Sequence, residues 1–437
     1  MKSRNFLSTA LVLGIAGLVG YGGFVFFKDM EGPTLTLTPD TGHVSPAREL
    51  QLDMQDKSGV RSVVVSVRKN NTTTPIFEKM FKDPQPEQQV KFSMKNAGLR
   101  DGAFEMEIRV TDASLAGFGQ GNSRTKLMPM RFDTQPPHIT VKNPALPTVR
   151  RGGSAVLRYT VNKSVYQSGI RVGDNFFRGY PQKDGSYVCF FAFPHLMTTA
   201  TYKPVIMAED MAGNVSSGPV HVRLADRKFK QDTITITDDF LQKVSTKMLD
   251  MAPNAKSPLE RYVLINSDLR AANVKFLQEV GSQSASSMLW RGAFMQMPRS
   301  AARAGFADHR VYMYNNQKID DQYHLGFDLA SVRMAEIPAA NNGRVVFAGQ
   351  LGIYGNIVII DHGLGVMSLY SHMSEFRVAD GAEVKKGDII GVTGSTGMAF
   401  GDHLHFGVLV GGLEVTPLEW LDPKWIKDNI TSQLGQE

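Results

Sequence analysis

The chain has 437 residues, 42% hydrophobic and 21% charged, so it is long and apolar enough for several buried cores and is not a disordered polymer. Its net charge of +6 is mild and no run rich in Lys and Arg accompanies it, so no nucleic-acid partner is expected. Such a charge suits an anionic neighbour, either lipid headgroups or a cell-wall polymer. The single cysteine, Cys189, excludes an internal disulfide and a thiolate-rich zinc site, and its apolar neighbours predict a buried strand residue.

The N-terminus carries an uncharged apolar stretch over residues 6–27. As a helix it would be roughly 33 Å long, enough to cross a bilayer. Because Lys2 and Arg4 precede it, residues 1–5 are expected to form a cytoplasmic tail, with the bulk of the chain on the periplasmic side of the cytoplasmic (inner) membrane. A cleaved signal peptide is the alternative, but the stretch is longer than a usual signal core and ends in bulky residues, which favours an uncleaved single-pass anchor.

The next region, residues 33–226, has short alternating segments broken by Gly, Pro, Asn and Asp, which is typical of β-strands. A weak repeat relates two strands, each ending in an aspartate (Asp112 and Asp210) and followed by a Gly-Asn turn. A Pro-Pro pair separates the copies, so we predict two β-sandwich domains, residues 33–134 and 135–226. They loosely resemble bacterial immunoglobulin-like surface domains. A spacer role is the simpler expectation, and binding of the wall or of a partner is the alternative.

Residues 227–288 change to a helical period and are predicted to form a helical connector. The first helix has an apolar face made by Leu241, Val244 and Met248. The second should begin at Ser257 as N-cap, with Glu260 completing a capping box, and should end at Gly281. The alternative is that these helices cover the cleft of the domain that follows.

Strand-like segments return in residues 289–423, separated by Gly-rich turns, and predict a compact, mostly antiparallel β domain. Residues 424–437 are left as a C-terminal tail. The predicted fold class is therefore mainly β, with one transmembrane helix and one helical connector.

Five residues of the last domain have side chains suited to a metal site, namely His324, Asp328, His372, His403 and His405. Residues two or four apart on a strand project from one face, so His324 and Asp328 should point together, with Gly326 removing bulk where a metal approaches. The same holds for His403 and His405. Two histidines and a carboxylate form a catalytic zinc set that leaves a fourth position for water, whose pKa zinc lowers towards about 7. The two remaining residues would act as general base and oxyanion donor, whereas the histidines at 309 and 362 are expected to be satisfied bystanders.

Three motifs carry a family resemblance, namely His324-x-Gly-x-Asp328, Leu369-Tyr-x-His-Met373 and His403-Leu-His405-Phe406. They resemble the lysostaphin/LytM-type zinc metallopeptidases, which cut peptidoglycan, over about residues 285–423. The resemblance implies Zn²⁺ as cofactor, His324, Asp328 and His405 as its ligands, and His372 and His403 as catalytic histidines. It also implies a β barrel-sandwich core of the duplicated hybrid motif type. Family substrates are peptide cross-links, at glycyl-glycine in some members and at D-alanyl-diaminopimelate in others.

The expected function is thus a membrane-anchored zinc endopeptidase acting on peptidoglycan cross-links, with wall hydrolases or division proteins as further candidate partners. Some members of the family have lost ligands and only activate other wall hydrolases. This chain departs at none of the five positions, which favours activity, but a non-enzymatic regulator stays as the alternative. A scaffold or adhesin with a vestigial site is the third hypothesis.

Overall fold

The computed structural model describes Gly23, residues 30–69 and residues 72–435. Apart from Gly23, the predicted anchor at residues 6–27 lies outside the described residues, as does the tail at residues 1–5. Within the described part of the chain, no helix is both long and apolar enough to span a bilayer. The prediction of a mainly β chain is confirmed.

The described residues form two compact units, the first holding those up to Pro137 together with residues 163–166 and 209–216. Its core lies between a three-stranded sheet of order β1-β3-β6 and a five-stranded sheet of order β2-β8-β7-β4-β5, whose alternate residues are buried. The elements are β1 (Thr34–Thr38), β2 (His43–Val44), β3 (Glu49–Gln55), β4 (Val60–Lys69), β5 (Thr72–Met80), β6 (Glu87–Ser93), β7 (Gly102–Asp112), α1 (Ala116–Gly119) and β8 (Ser123–Phe132).

The two aspartates of the sequence repeat, Asp112 and Asp210, make equivalent hydrogen bonds in the structure. The Oδ1 atom of Asp112 accepts a hydrogen bond of 2.7 Å from the backbone N–H of Asn122. The Oδ1 atom of Asp210 accepts one of 2.9 Å from the backbone N–H of Asn214. Each carboxylate therefore closes the Gly-Asn turn that follows its strand.

The second unit contains residues 138–162, 167–208 and 217 onwards. Its first part has two four-stranded sheets, of orders β14-β15-β11-β9 and β13-β12-β16-β17, and a parallel pair of β10 with β18. The strands are β9 (Ile139–Val141), β10 (Thr148–Arg150), β11 (Ser154–Val161), β12 (Val165–Val172), β13 (Asn175–Arg178), β14 (Tyr180–Pro181), β15 (Ser186–Ala192), β16 (Val205–Asp210), β17 (Val215–Pro219) and β18 (Arg223–Ala225). The predicted burial of Cys189, on β15, is confirmed.

Helices follow one further strand, and their predicted starting signal is confirmed. The hydroxyl of Ser257 accepts a hydrogen bond of 3.1 Å from the backbone N–H of Glu260, as an N-cap should. The elements are β19 (Gln231–Thr235), α2 (Asp238–Lys247), a 3₁₀ turn (Leu249–Met251), α3 (Pro258–Leu264), a π turn (Ile265–Leu269) and α4 (Arg270–Gly281).

The C-terminal part is organised around one sheet of order β20-β23-β31-β27-β26-β25-β29, with β32 also paired to β31. Smaller sheets of orders β19-β21-β22 and β24-β30-β28 accompany it. The strands are β20 (Ala301–Ala304), β21 (Asp308–Tyr314), β22 (Gln317–His324), β23 (Phe327–Ala330), β24 (Glu336–Pro338), β25 (Gly343–Leu351), β26 (Gly355–Asp361), β27 (Val366–Ser371), β28 (Glu375–Phe376), β29 (Glu383–Val384), β30 (Ile389–Val392), β31 (Leu404–Val410) and β32 (Leu413–Val415). A 3₁₀ turn (Gly352–Tyr354) precedes β26, and α5 (Pro417–Leu421), α6 (Pro423–Ile426), a π turn (Lys427–Thr431) and α7 (Ser432–Leu434) end the chain.

One hydrophobic core runs from the sandwich-like strands into this C-terminal part. Trp420 on α5 is fully buried, and its ring centroid lies 5.9 Å from that of Phe190 on β15. Beside it, the carboxylate of Glu419 pairs with the guanidinium of Arg227 at 3.0 Å and accepts the backbone N–H of Ser154 at 3.1 Å. Burial raises the pKa of Glu419. A buried acid that is paired in this way ties the two parts together.

The segment treated as a C-terminal tail from the sequence is helical as far as Leu434. Its apolar residues Ile426, Ile430 and Leu434 are buried. The side chain of Gln433 accepts a hydrogen bond of 2.9 Å from Asn143, before β10. These partners are distant in sequence, so local pattern alone does not reveal them.

Helix α4 ends at Gly281 as predicted, but for a different physical reason. A glycine that ends a helix usually adopts the left-handed conformation, whereas Gly281 is not among the residues with positive φ. Instead, a Cβ atom at this position would lie 2.2 Å from the backbone nitrogen of Gly412, in the turn between β31 and β32. Glycine is therefore required by the close contact of a helix end with a backbone turn.

We expect Gly281→Ala to lower the free energy of unfolding by about 1–3 kcal/mol, because backbone rather than a flexible side chain must move. Chemical denaturation of the full chain measures it. The matched control is Gly218→Ala on β17, where an added Cβ meets nothing within 4 Å; it should change stability by about 0.5 kcal/mol or less. Equal stabilities of the two variants would contradict this account.

Candidate metal centre

Two neighbouring strands bring the first pair of candidate residues together. In the antiparallel pairing of β23 with β31, Asp328 lies directly opposite His405. The prediction that His324 and Asp328 share one strand is wrong, because β22 ends at His324 and β23 begins at Phe327. The chain turns at Leu325 and Gly326, and this turn still directs both side chains to one point.

The three side chains named as ligands converge closely. The Nε2 atom of His324 lies 2.9 Å from Oδ1 of Asp328 and 3.0 Å from Nδ1 of His405. The Nδ1 atom of His405 lies 2.9 Å from the same carboxylate oxygen. Each residue thus contributes one atom to a triangle that can hold a metal ion.

The hydrogen bonds around this triangle fit a cation. The Nδ1 atom of His324 lies 2.8 Å from the carbonyl oxygen of Gly305, so Nδ1–H donates there and Nε2 is left with a lone pair. On His405, the buried Nε2 atom has no hydrogen-bond partner among the described residues. Its Nδ1 atom faces the other two candidate metal-ligating atoms, Nε2 of His324 and Oδ1 of Asp328. Lone pairs on two nitrogens and a carboxylate at this spacing repel each other unless a cation lies between them, and this set is one that Zn²⁺ prefers.

Gly326 has a role that differs from the predicted one. A Cβ atom there would lie 2.6 Å from Nε2 of His405 and 2.8 Å from the carbonyl oxygen of Phe406. The glycine therefore makes room for the His405 ring, not for the approach of a metal.

The two remaining histidines lie beside the triangle. The ring centroids of His372 and His403 are 4.9 Å apart, and Nε2 of His403 is 3.6 Å from Oδ1 of Asp328. The Nδ1 atom of His372 donates to the carbonyl of Thr396 at 2.8 Å, and that of His403 donates to the carbonyl of Gly401 at 2.9 Å. Nε2 of each ring is then left to accept a proton.

His372 is held in an uncommon backbone conformation, with φ at 63°. Such a conformation costs of order 1 kcal/mol for a residue with a side chain and persists only where neighbours enforce it. The backbone N–H of His372 donates to the carbonyl of Tyr354 at 2.9 Å, and the ring is held by Thr396. The side chain is therefore fixed at both ends.

The electrostatics divide these residues. Burial would raise the pKa of the Asp328 carboxyl, but its contacts with the surrounding histidines hold it well below its ordinary value. Burial lowers the pKa of His372 to about 3 and that of His405 to about 4. Burial acts in the same direction on His403, yet its contact with Asp328 raises its pKa overall. The carboxylate is thus charged and the His372 ring is neutral at physiological pH.

The five residues border a cavity of about 240 Å³. Its other walls include residues that the sequence did not single out, namely Arg270, Arg310, Tyr312, Gln322, Tyr323, Ile353, Tyr354, Met398, Ala399 and Phe400. They come from α4, the β21–β22 hairpin and two loops. No short motif links them to the histidines, so sequence spacing carried no signal for them.

The predicted helical connector borders this cavity. Arg270 at the start of α4 lines it, and the ammonium group of Lys247 on α2 donates to the carbonyls of Ser395 and Ala399. The ring of Phe240 lies 4.7 Å from that of Phe400. His403 and Asp328 keep 20% and 19% of their side-chain surfaces exposed, so these helices form a wall rather than a complete cover.

The two bystander histidines are satisfied, as predicted. His309 contacts the carboxylate of Asp321 at 2.8 Å. His362 is fully buried, with Nδ1 at 2.7 Å from the carbonyl of Asn342 and Nε2 at 2.7 Å from the hydroxyl of Ser368.

Comparison with known proteins gives a consistent result. Residues 322–417 match the sequence model of the family described as Peptidase family M23. DD-carboxypeptidase/endopeptidase Mpg of Neisseria meningitidis is 41% identical over 95 residues, 22% of this chain and 22% of Mpg. Lipoprotein NlpD of Yersinia enterocolitica is 43% identical over 95 residues, 22% of this chain and 97% of that protein. Murein hydrolase activator NlpD of Escherichia coli is 40% identical over 97 residues, 22% of this chain and 25% of that protein.

The chain spans about a fifth of the length of the Mpg relatives, so the likeness concerns one domain. The matched segment holds all five residues of the candidate centre. The resemblance to lysostaphin/LytM-type peptidases is confirmed: the chain belongs to peptidase family M23.

Proposed function

We propose that the chain is a zinc-dependent endopeptidase that hydrolyses peptide cross-links of peptidoglycan. The observation that carries this proposal is the convergence of one atom each from His324, Asp328 and His405 within 3.0 Å. A structural histidine cluster would have its lone pairs satisfied by protein donors, whereas these face one another.

In the proposed mechanism, these three side chains hold Zn²⁺. Zinc bound there would act as a Lewis acid towards water and the scissile carbonyl. The chain's own contribution then comes from His372 and His403. Because backbone carbonyls hold their Nδ1–H groups, each Nε2 can orient water, accept its proton or deliver a proton to the leaving amine. A protonated Nε2 can also donate to the developing oxyanion.

The ligand and proton-transfer roles separate in two substitutions. We expect His405→Ala to abolish stoichiometric zinc binding and digestion of purified sacculi, since it removes one of three ligands. We expect His403→Ala to retain most of the zinc and to lower turnover by about 100- to 10,000-fold. Metal analysis and the release of soluble muropeptides measure the two effects.

His221→Ala is the matched control, since this histidine is exposed and lies outside the cavity. It should keep both zinc and activity. Chelation should inactivate the wild type, and added zinc should restore it. A His405→Ala protein that still digests sacculi would overturn the assignment.

A second candidate function is that of a regulator that activates a wall hydrolase. It is supported by the relative named as a murein hydrolase activator, which is 40% identical to the same segment. This function needs the fold of the domain but not the metal chemistry.

Stimulation of a purified wall amidase distinguishes the two. If the chain is an enzyme, the wild type should digest sacculi with no amidase present, and His405→Ala should lose that activity. If it is a regulator, wild type and His405→Ala should both be inert alone and should stimulate the amidase equally.

We also propose the cellular location inferred from the sequence, in which residues 6–27 anchor the chain in the cytoplasmic membrane. Residues 33–134 and 135–226 would then be immunoglobulin-like spacer domains outside it. The apolar stretch between Arg4 and Lys28 supports the first point, and the paired aspartate turns at Asp112 and Asp210 support the second.

A further inference from the structure

Two arginine side chains line the same cavity as the catalytic histidines. Arg270 comes from the start of α4 and Arg310 from β21. Both precede residues 322–417, the segment that matches the peptidase family. The motifs that identify the family therefore do not include them.

Arg270 is held in place but not paired with an acid. Its Nε atom donates to the carbonyl of Asn266 at 3.2 Å, and Nη2 donates to Oδ1 of the same residue at 2.8 Å. Asn266 is itself fully buried and is fixed by a hydrogen bond of 2.5 Å to Asp320. Among the described residues, no carboxylate lies within ion-pair distance of Arg270, and its Nη1 atom has no hydrogen-bond partner.

Arg310 also keeps unused donors. Its one ion pair within the described chain joins Nη2 to Oδ2 of Asp328 at 3.7 Å, which is too long for a hydrogen bond. About a quarter of its side chain, 27%, stays exposed. This contact leaves the other N–H groups of the guanidinium free to bind a second acceptor.

Charge balance within the protein does not account for Arg270. The carboxylate of Glu414 is buried and accepts the hydroxyl of Tyr354 at 3.1 Å. Arg270 influences that carboxyl only at a distance, with no ion pair formed. A guanidinium at the wall of a catalytic cavity, oriented by a buried asparagine and lacking an acid, has the properties of a carboxylate receptor.

We propose that Arg270 and Arg310 bind a free carboxylate on the carbon that also bears the leaving nitrogen of the scissile peptide bond. Hydrolysis breaks the bond between the carbonyl carbon and the leaving nitrogen, transfers the hydroxyl of water to that carbonyl carbon and delivers a proton to the leaving amine. The proposal rests on the function proposed above and specifies its substrate. In this position the carboxylate lies two bonds from the nitrogen to which His372 or His403 delivers a proton.

This chemistry selects one class of cross-link. In D-alanyl-D-alanine, the residue that leaves carries its carboxylate on the carbon next to the scissile nitrogen, and D-alanyl-diaminopimelate has the same arrangement. A glycyl-glycine bond inside a bridge has no such charge. The inferred substrates are therefore the first two, and glycine bridges are excluded.

The test compares two peptides that differ only in this group: diacetyl-L-lysyl-D-alanyl-D-alanine as the free acid and as the C-terminal amide. With zinc-loaded full-length protein, we expect kcat/KM to favour the acid by about tenfold to a hundredfold, the range expected for charge-assisted hydrogen bonds. Arg270→Gln and Arg310→Gln should each remove most of this preference, because cleavage of the acid should slow much more than cleavage of the amide.

Two further variants exclude a merely structural effect. Arg270→Lys keeps the charge but not the planar fork, so it should restore part of the preference. Arg303→Gln, at an exposed position of β20 outside the cavity, should change nothing. Zinc content and thermal unfolding are measured for every variant, because Arg310 contacts a proposed ligand. Equal loss on both peptides, or a wild type that cleaves the acid and the amide with equal kcat/KM, would overturn the proposal.

A binding measurement separates this proposal from the proposed function. Isothermal calorimetry with the full-length His403→Ala protein in the presence of zinc compares the acid with the amide without turnover. If the wild type cleaves neither sacculi nor these peptides but the acid binds at least tenfold more tightly, and Arg270→Gln removes the difference, the enzyme assignment fails and the carboxylate site stands. Equal affinities for acid and amide would sink the carboxylate site whether or not cleavage occurs.

Discussion

The repulsion between the electron pairs of His324, Asp328 and His405 is the constraint on which the rest of the C-terminal domain depends. Three such groups within 3.0 Å of one another are unfavourable by themselves and become favourable only around a cation. The fold holds them in this arrangement. The register of β23 with β31 sets Asp328 opposite His405, the Gly305 carbonyl sets the tautomer of His324, and Gly326 admits the His405 ring. Each device comes from a different part of the chain, so the centre forms only when the sheet does.

Much of this centre could be predicted from the sequence because the chemistry is concentrated in short motifs. The pair His403 and His405 lies on either side of Leu404, and both histidines border the cavity while Leu404 belongs to the hydrophobic core. Strand alternation does not explain why the side chains of His324 and Asp328 converge, because a turn between two strands brings them together. Likewise, Gly326 and Gly281 were recognised as special positions, but the atoms that exclude a side chain there belong to His405 and Gly412. Spacing identifies such residues, whereas their partners depend on tertiary contacts.

What the sequence could not predict is how far the domain extends into the rest of the chain. Glu419 lies just beyond the family segment, yet its partners are Arg227 and the backbone of Ser154. Trp420 joins the same core as Phe190. The two partners of Glu419 are 192 and 265 residues away from it in the chain. The strands around Phe190 and the domain that matches the M23 family were predicted as separate modules but share one interior, and removing either would expose a large apolar surface.

The same reasoning applies to the cavity. A family motif specifies the candidate centre, but the side chains that line the cavity around it also come from α4 and from the β21–β22 hairpin. Lys247 reinforces this arrangement, because its ammonium group bonds two carbonyls of the loop that supplies Met398 and Phe400 to the cavity. The helices that the sequence marked as a simple connector thus position both a wall of the site and the guanidinium of Arg270. A preorganised wall raises selectivity because the ordering cost is met during folding rather than at each binding event. With the proposed carboxylate site, substrate choice in this chain is coupled to the stability of its helical segment, and relatives that share only the peptidase domain need not share it.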